Sequence, residues 1–343
     1  LQNFPADNYL NFIFVFPLMQ GSVFAAISAG TDLARDIDGC CRLTGEFTLL
    51  DAEEVTFVFA NTEHGIEAFR RSASPVGDGM WQAADVVLSE SPLPHVPQLP
   101  DRGVGSDLIG RTAAMLEIPV ARGPRGWRVA ARASKDADRM ERDLDHLEGL
   151  WHGKADTVKV QLAGPFTLAA EIEMANGHRM ITDPGALRDL TDALLEVSEG
   201  HRRDVAKRFG GCVLQLDEPR LPEVVAGTLA GATDFETIRA IPEPEETLAR
   251  FGEHLLNTTI LCDVPWLTVD PRTADKDALA RLLDRGTRIA IPTMAPRELY
   301  RIFDELQIDP ATATIDVAAE GGRTLLDTAA VYRAAREMAQ ALA

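Results

Sequence analysis

Two adjacent carboxylates, Asp217 and Glu218, follow the apolar run CVLQL and precede Pro219. A carboxylate so placed can accept hydrogen bonds from a cationic amine or act as a general base. Neighbouring strand residues face opposite ways, so both acids meet one ligand only if the strand has already ended. The structural alternative has Asp217 capping a loop and Glu218 paired with an arginine. Other strand-like runs end in polar groups too: Gln161 and Gly164 after VKV, Cys262 and Asp263 in TTILCDV, Thr293 after RIAIP, and Asp316 and Glu320 in ATIDVAAEGG. Cys262 reads as a nucleophile, a metal ligand or an apolar core residue. A zinc site would have to converge from Cys262, Glu218, Asp263, Glu320 and His95, because no cysteine follows position 262 and no histidine follows position 254. His95 lies in LPHVPQLP; with Arg102 and Arg111 this loop lines either a pocket for an anionic group or a rigid strap. His146 and His201 sit in charged helical segments and are expected to be solvated.

The elements that position these groups follow from hydrophobic spacing. MWQAADVVLSE and SKDADRMERDLDHLEGLWHG read as helices, and so does SDLIGRTAAMLE with Ser106 as N-cap. Prolines 92, 94, 97 and 100 forbid a regular helix between the first and third of these. From Thr157 a strand-helix rhythm sets in. TVKVQLAG, CVLQLDEP, TTILCDV, TRIAIPTM and TATIDVA read as strands, and each is followed by a helical run. EPEETLARFGEHLLN reads as one of those helices. Five such units imply parallel strands buried on both faces. The expected architecture is a (β/α)8 barrel, with an open doubly wound sheet as the competitor. No glycine-rich fingerprint joins a first strand to its helix, so no nucleotide cofactor is expected. Residues 1–70 read as a separate α+β element that covers a face of the barrel or a partner. In it GSVFAAISAGTDLARDIDG is a helix candidate, and GEFTLL and EEVTFVFA are strand candidates.

Composition bounds the partners. Acidic residues number 53 against 34 basic ones, a formal charge of -19, which repels nucleic acid and anionic membrane surfaces. No stretch has the length of a transmembrane helix. Cys40, Cys41, Cys212 and Cys262 show no disulfide spacing, so a reducing, cytoplasmic setting is expected.

Three runs in order, LPHVPQLPDRGVGSDLIGRTAAMLE, VKVQLAGPFTLAA and LQLDEPRLPEV, resemble the short actinobacterial forms of the cobalamin-independent methionine synthase family. The resemblance implies a barrel of the methionine synthase / uroporphyrinogen decarboxylase type over residues 71–343, with the 1–70 element added. It implies S-methyl transfer to homocysteine or a related thiol, with a thiol amino acid and a methyl donor as small-molecule partners. The alternative is a non-catalytic barrel that binds a small ligand or a protein partner, and a homo-oligomer is left open. The resemblance carries the substrate aspartate onto Asp217, with Gln161, His95 and Ser74 lining the substrate side and Glu218 and Cys262 the reacting side. Ser74 is placed by the family's Gly-Ser turn, matched to SPVGDG. The resemblance implies zinc bound through a His-x-Cys pair, a glutamate on the next unit and a late cysteine. Here Ile260 stands at the histidine position, Cys262 is the one matching ligand, and no cysteine falls within Val317–Gly321. Zinc is therefore expected to be weakly bound or absent.

Overall fold

The computed structural model describes strands at 13–18, 21–26, 32–35, 41–44 and 57–58, and residues 79–342 apart from 100–101, 117, 132–136, 232–235, 237 and 320–324. The chain divides into two compact units, Leu1–Glu53 and Glu54–Ala343. The first holds two antiparallel hairpins: β1 (Ile13–Leu18) with β2 (Gly21–Ala26), and β3 (Asp32–Arg35) with β4 (Cys41–Thr44). Gly21–Ala26 is thus a strand and not the start of a helix. Only Met19 and Gln20 separate it from β1, and a two-residue connection pairs antiparallel strands directly. GEFTLL and most of EEVTFVFA lie outside the described residues; of the latter, Phe57–Val58 forms β5.

The larger unit is built on a parallel sheet. Its six main strands are β8 (Thr157–Ala163), β10 (Gly211–Asp217), β11 (Leu255–Asn257), β12 (Trp266–Thr268), β13 (Arg288–Pro292) and β14 (Ile315–Ala318). They lie in the order β14-β13-β12-β11-β10-β8, and the two-residue β5 extends the β14 edge. A smaller sheet joins β6 (Val120–Gly123), β7 (Gly126–Val129) and β9 (Ile172–Glu173). One face of the main sheet is apolar: Val158, Val160, Leu214, Leu216, Ile289 and Val317 are buried in the main core. That core includes the Met80–Glu90, Pro184–Phe209 and Leu325–Leu342 helices. The other face carries a small apolar cluster of Leu255, Trp266, Ala290 and Ala318, with Val213 packed against it.

The expected closed eight-stranded barrel is not formed. The sheet is an open, all-parallel half-barrel, and among the described residues its edges do not pair with one another. The reason is visible at β8. Its free edge makes a single parallel bridge, His95 with Lys159, through Val96 N to Lys159 O (3.0 Å) and Lys159 N to Pro94 O (2.8 Å). The next edge groups are taken by side chains. Arg111 donates to Gln161 O (2.9 Å), and Ala163 N donates to Thr112 Oγ1 (3.0 Å). A side-chain cover ends a sheet as effectively as a strand extends it.

Local signals set the helices. Asp183 caps the long Pro184–Phe209 helix by accepting from Gly185 N and Ala186 N, Pro184 occupies its first turn, and Gly210 ends it at φ 106°. Leu190, Leu194, His201 and Val205 share its buried side. His201 is therefore a core residue, contrary to the solvated reading, and burial pushes it down to about 4. The Leu108–Met115 helix is capped by Asp107 and not by Ser106. Among the described residues, no helix is long and apolar enough to cross a membrane.

Candidate functional site

In a parallel sheet every strand ends on the same edge, and loops there gather the chemistry. On β8 and β10, alternation sends Lys159, Gln161, Gln215 and Asp217 to the polar face, with Gln161 beside Gln215 in register. Asn257 joins them from β11, paired in register with Asp217. All of these but Asn257 are at most 3% exposed.

Lys159, Gln215, Asp217 and Asn257 form one hydrogen-bonded chain, and Gln161 is bonded separately to Gln98. Lys159 Nζ donates to Gln215 Oε1 (2.6 Å), and Gln215 Nε2 donates to Asp217 Oδ1 (2.6 Å). Asn257 Nδ2 also donates to Asp217 Oδ1 (2.8 Å), and Thr268 Oγ1 donates to Asn257 Oδ1 (3.1 Å). Gln98 Nε2 donates to Gln161 Oε1 (2.6 Å). Among the described residues, Asp217 Oδ2, Gln161 Nε2 and Arg111 Nε are buried without a hydrogen-bond partner. Burial raises the Asp217 carboxyl above the usual carboxylate range, opposed by the bonds from Asn257 and Gln215 and by the charges of Arg111 and Lys159. Burial lowers Lys159 to about 7, against the pull of Asp217.

Glu218 points elsewhere. Its carboxylate accepts from Phe166 N (2.9 Å), Thr167 N (2.7 Å) and Thr167 Oγ1 (2.6 Å), which caps the Pro165–Glu171 helix. Neither a catalytic base facing the ligand nor an arginine pair describes it. Gly164 is the residue that permits this approach, since a Cβ there would lie 2.3 Å from Glu218 Oε1. Burial pushes Glu218 up to about 7 despite its three donors.

Cys262 is not at a strand end. TTILCDV is a loop between β11 and β12, and Cys262 is buried in the main core with its thiol pushed up to about 12 by burial. The strand end beside Asp217 is Asn257, which has no sulfur to offer. Asp263 is an exposed partner of Arg285, and Asp316 lies near the start of β14 in a bidentate pair with Arg288 (2.6 and 2.8 Å). Among the described residues no group of three or more His, Cys, Asp or Glu side chains converges to hold a metal ion. The degenerate zinc site expected from the resemblance is accordingly not found there. Ser74 and Glu320 lie outside the described residues. His95 is buried against the ring of Tyr332 (centroids 5.9 Å apart), and burial, Lys159 and Arg111 all hold it neutral.

The structure thus brings Gln161, Asp217 and His95 to one face, turns Glu218 to the Pro165–Glu171 helix and places Cys262 in the main core. Lys159 and Asn257 belong to the cluster and escape the sequence reading. A signal for Lys159 exists: it alternates with Val158 and Val160 and shares its strand face with Gln161. A scan against protein-family models finds no match, and neither does a search of curated proteins.

Proposed function

We propose that this protein binds a small amine-bearing ligand of amino-acid type at the C-terminal ends of β8 and β10. One observation carries the reading: Asp217 is 2% exposed, has Oδ1 held by two amides, and leaves Oδ2 buried with no partner among the described residues. Buried polar atoms are almost always satisfied, so an orphaned carboxylate oxygen at a strand end is suited to a donor from a ligand. A protonated amine is the matching donor, which is also the role that the resemblance gives this aspartate. Methyl transfer to a thiol would further need a group that generates the thiolate. Cys262 in its core position does not support that step, so binding is the function favoured here.

The test is calorimetric titration with L-homocysteine, L-methionine and the same carbon skeletons without the amine. The amine-bearing compounds are expected to bind, and Asp217→Asn to weaken them roughly ten- to hundredfold, the value of a hydrogen bond to a charged group. Affinity should rise from acid to neutral pH, because the raised Asp217 must ionise to hold a cation. Equal affinity in wild type and Asp217→Asn, or no binding of any amine, overturns the reading.

A further inference from the structure

A second feature lies beside Asp217. A cleft is lined by Gln98, Ser106, Arg111, Arg139 and Asp143, under the proline-rich segment Val96–Leu99. Arg111 is placed in it by several independent contacts. Its helix is capped by Asp107, which accepts from Gly110 N (2.7 Å) and Trp127 Nε1 (3.2 Å). Gly110 lets that helix lie against Gly105 and Trp127, where a Cβ would come within 2.6 Å of both. Thr112, one residue on, is tied to the end of β8.

The guanidinium spends one N–H on Gln161 O (2.9 Å), while its Nε is buried without a partner. Gln161, the residue it touches, has a buried and equally unpartnered Nε2. The nearby carboxylates are only partly bonded elsewhere: among the described residues Asp143 Oδ1 and Asp217 Oδ2 are buried without a partner. Asp143 pairs with Arg102 through Oδ2 (2.6 Å), Asp107 is occupied by its helix and Trp127, and Asp217 is held by amides at Oδ1, so none of the three bonds Arg111. Burial lowers Arg111 to about 10, a cost that the charges of Asp217 and Asp107 do not fully offset. Two orphaned N–H donors on touching residues, one of them cationic, call for an acceptor that carries negative charge.

We propose that this cleft is a subsite for a small anionic group, a carboxylate or a phosphate, held by Arg111, with Gln161 behind the wall residue Gln98 that it bonds. It rests on the reading of this sheet end as a ligand site and gives the ligand a second charge. A ligand bearing both an amine and an anion would meet Asp217 and Arg111 together.

The experiment uses the full chain at constant ionic strength. Acetate and inorganic phosphate are titrated separately by calorimetry into wild type, Arg111→Lys, Arg111→Ala and Asp217→Asn. Saturable binding of acetate alone assigns a carboxylate, and of phosphate alone a phosphate; either supports the subsite. Arg111→Ala is expected to weaken the binding anion at least tenfold. Arg111→Lys keeps the charge without the planar fork and should fall between. Asp217→Asn removes a negative charge that acts on Arg111, so anion binding should hold or tighten while amine-bearing ligands are lost, and the two readings fail separately. If Arg111→Ala melts below the assay temperature, Arg111→Lys and Gln161→Leu carry the test. Absence of saturable binding of both anions to wild type, or an affinity unchanged by the Arg111 and Gln161 variants, overturns the proposal.

Discussion

Glu218→Ala is expected to destabilise the larger unit by about 3 to 5 kcal/mol, because each buried donor stripped of its partner costs roughly 1 to 3 kcal/mol. The donors are Phe166 N, Thr167 N and Thr167 Oγ1, and both residues are 1% exposed. Water cannot replace the carboxylate without opening the sheet-helix contact. Glu218→Gln keeps the shape and one acceptor oxygen, so it should recover part of the loss. Gly164→Ala attacks the same contact from the other side, since its Cβ would overlap the Glu218 carboxylate. Overpacking of this kind costs about 1 to 3 kcal/mol. The two changes should therefore be strongly non-additive: once Glu218 is replaced by alanine, the space that Gly164→Ala needs is already open. Urea unfolding of the two single variants and the double variant measures this coupling. Additive losses, or a Glu218→Ala variant as stable as wild type, would show that the cap contributes little.

That contact also shows what is legible in the sequence. Gly164-Pro165 and Asp217-Glu218-Pro219 both read as strand ends, and the β8, β10, β13 and β14 strands and the Met80–Glu90 helix lie where the spacing places them. Which of two adjacent acids faces a ligand is not legible. Alternation assigns opposite faces but does not say which face holds the helix N-terminus. The β11–β12 region misleads for a related reason. TTILCDV is rich in strand-forming residues, yet the strands are the flanking triplets Leu255–Asn257 and Trp266–Thr268, too short to show a period. The helix before them ends early, at Ala249, with Gly252 at φ 64° turning the chain. The barrel error is of another kind. A strand-helix rhythm counts units, but closure depends on what occupies the last edge. Here Arg111 and Thr112 occupy it, and only the folded arrangement shows a side chain taking the place of a strand.

Acid titration should expose two buried groups that oppose each other. Glu218 is held at about 7 in the folded chain, above the ordinary 4.5, with burial as the first cause and Asp217 adding to it. The stability that it contributes is full below about 4.5 and is lost as pH rises through 7, because the unfolded carboxyl ionises first. His201 is held at about 4, below the ordinary 6.5, by burial and by Arg111, against Asp204. Its contribution is full above about 6.5 and is lost as pH falls toward 4, because the unfolded imidazole gains a proton first. The two slopes have opposite sign over nearly the same window, so in the wild-type chain they largely cancel. Removing either one should unmask the other. Between pH 7.5 and 5.0, Glu218→Gln should lose about 2 kcal/mol relative to wild type and His201→Leu should gain about 2 kcal/mol, at roughly 1.4 kcal/mol per pH unit. The lower limit keeps the protein above its isoelectric point near 4.8, where low net charge favours association. Urea midpoints at several pH values give the comparison directly. If both variants follow the wild-type pH dependence, neither group holds a shifted proton in the folded chain.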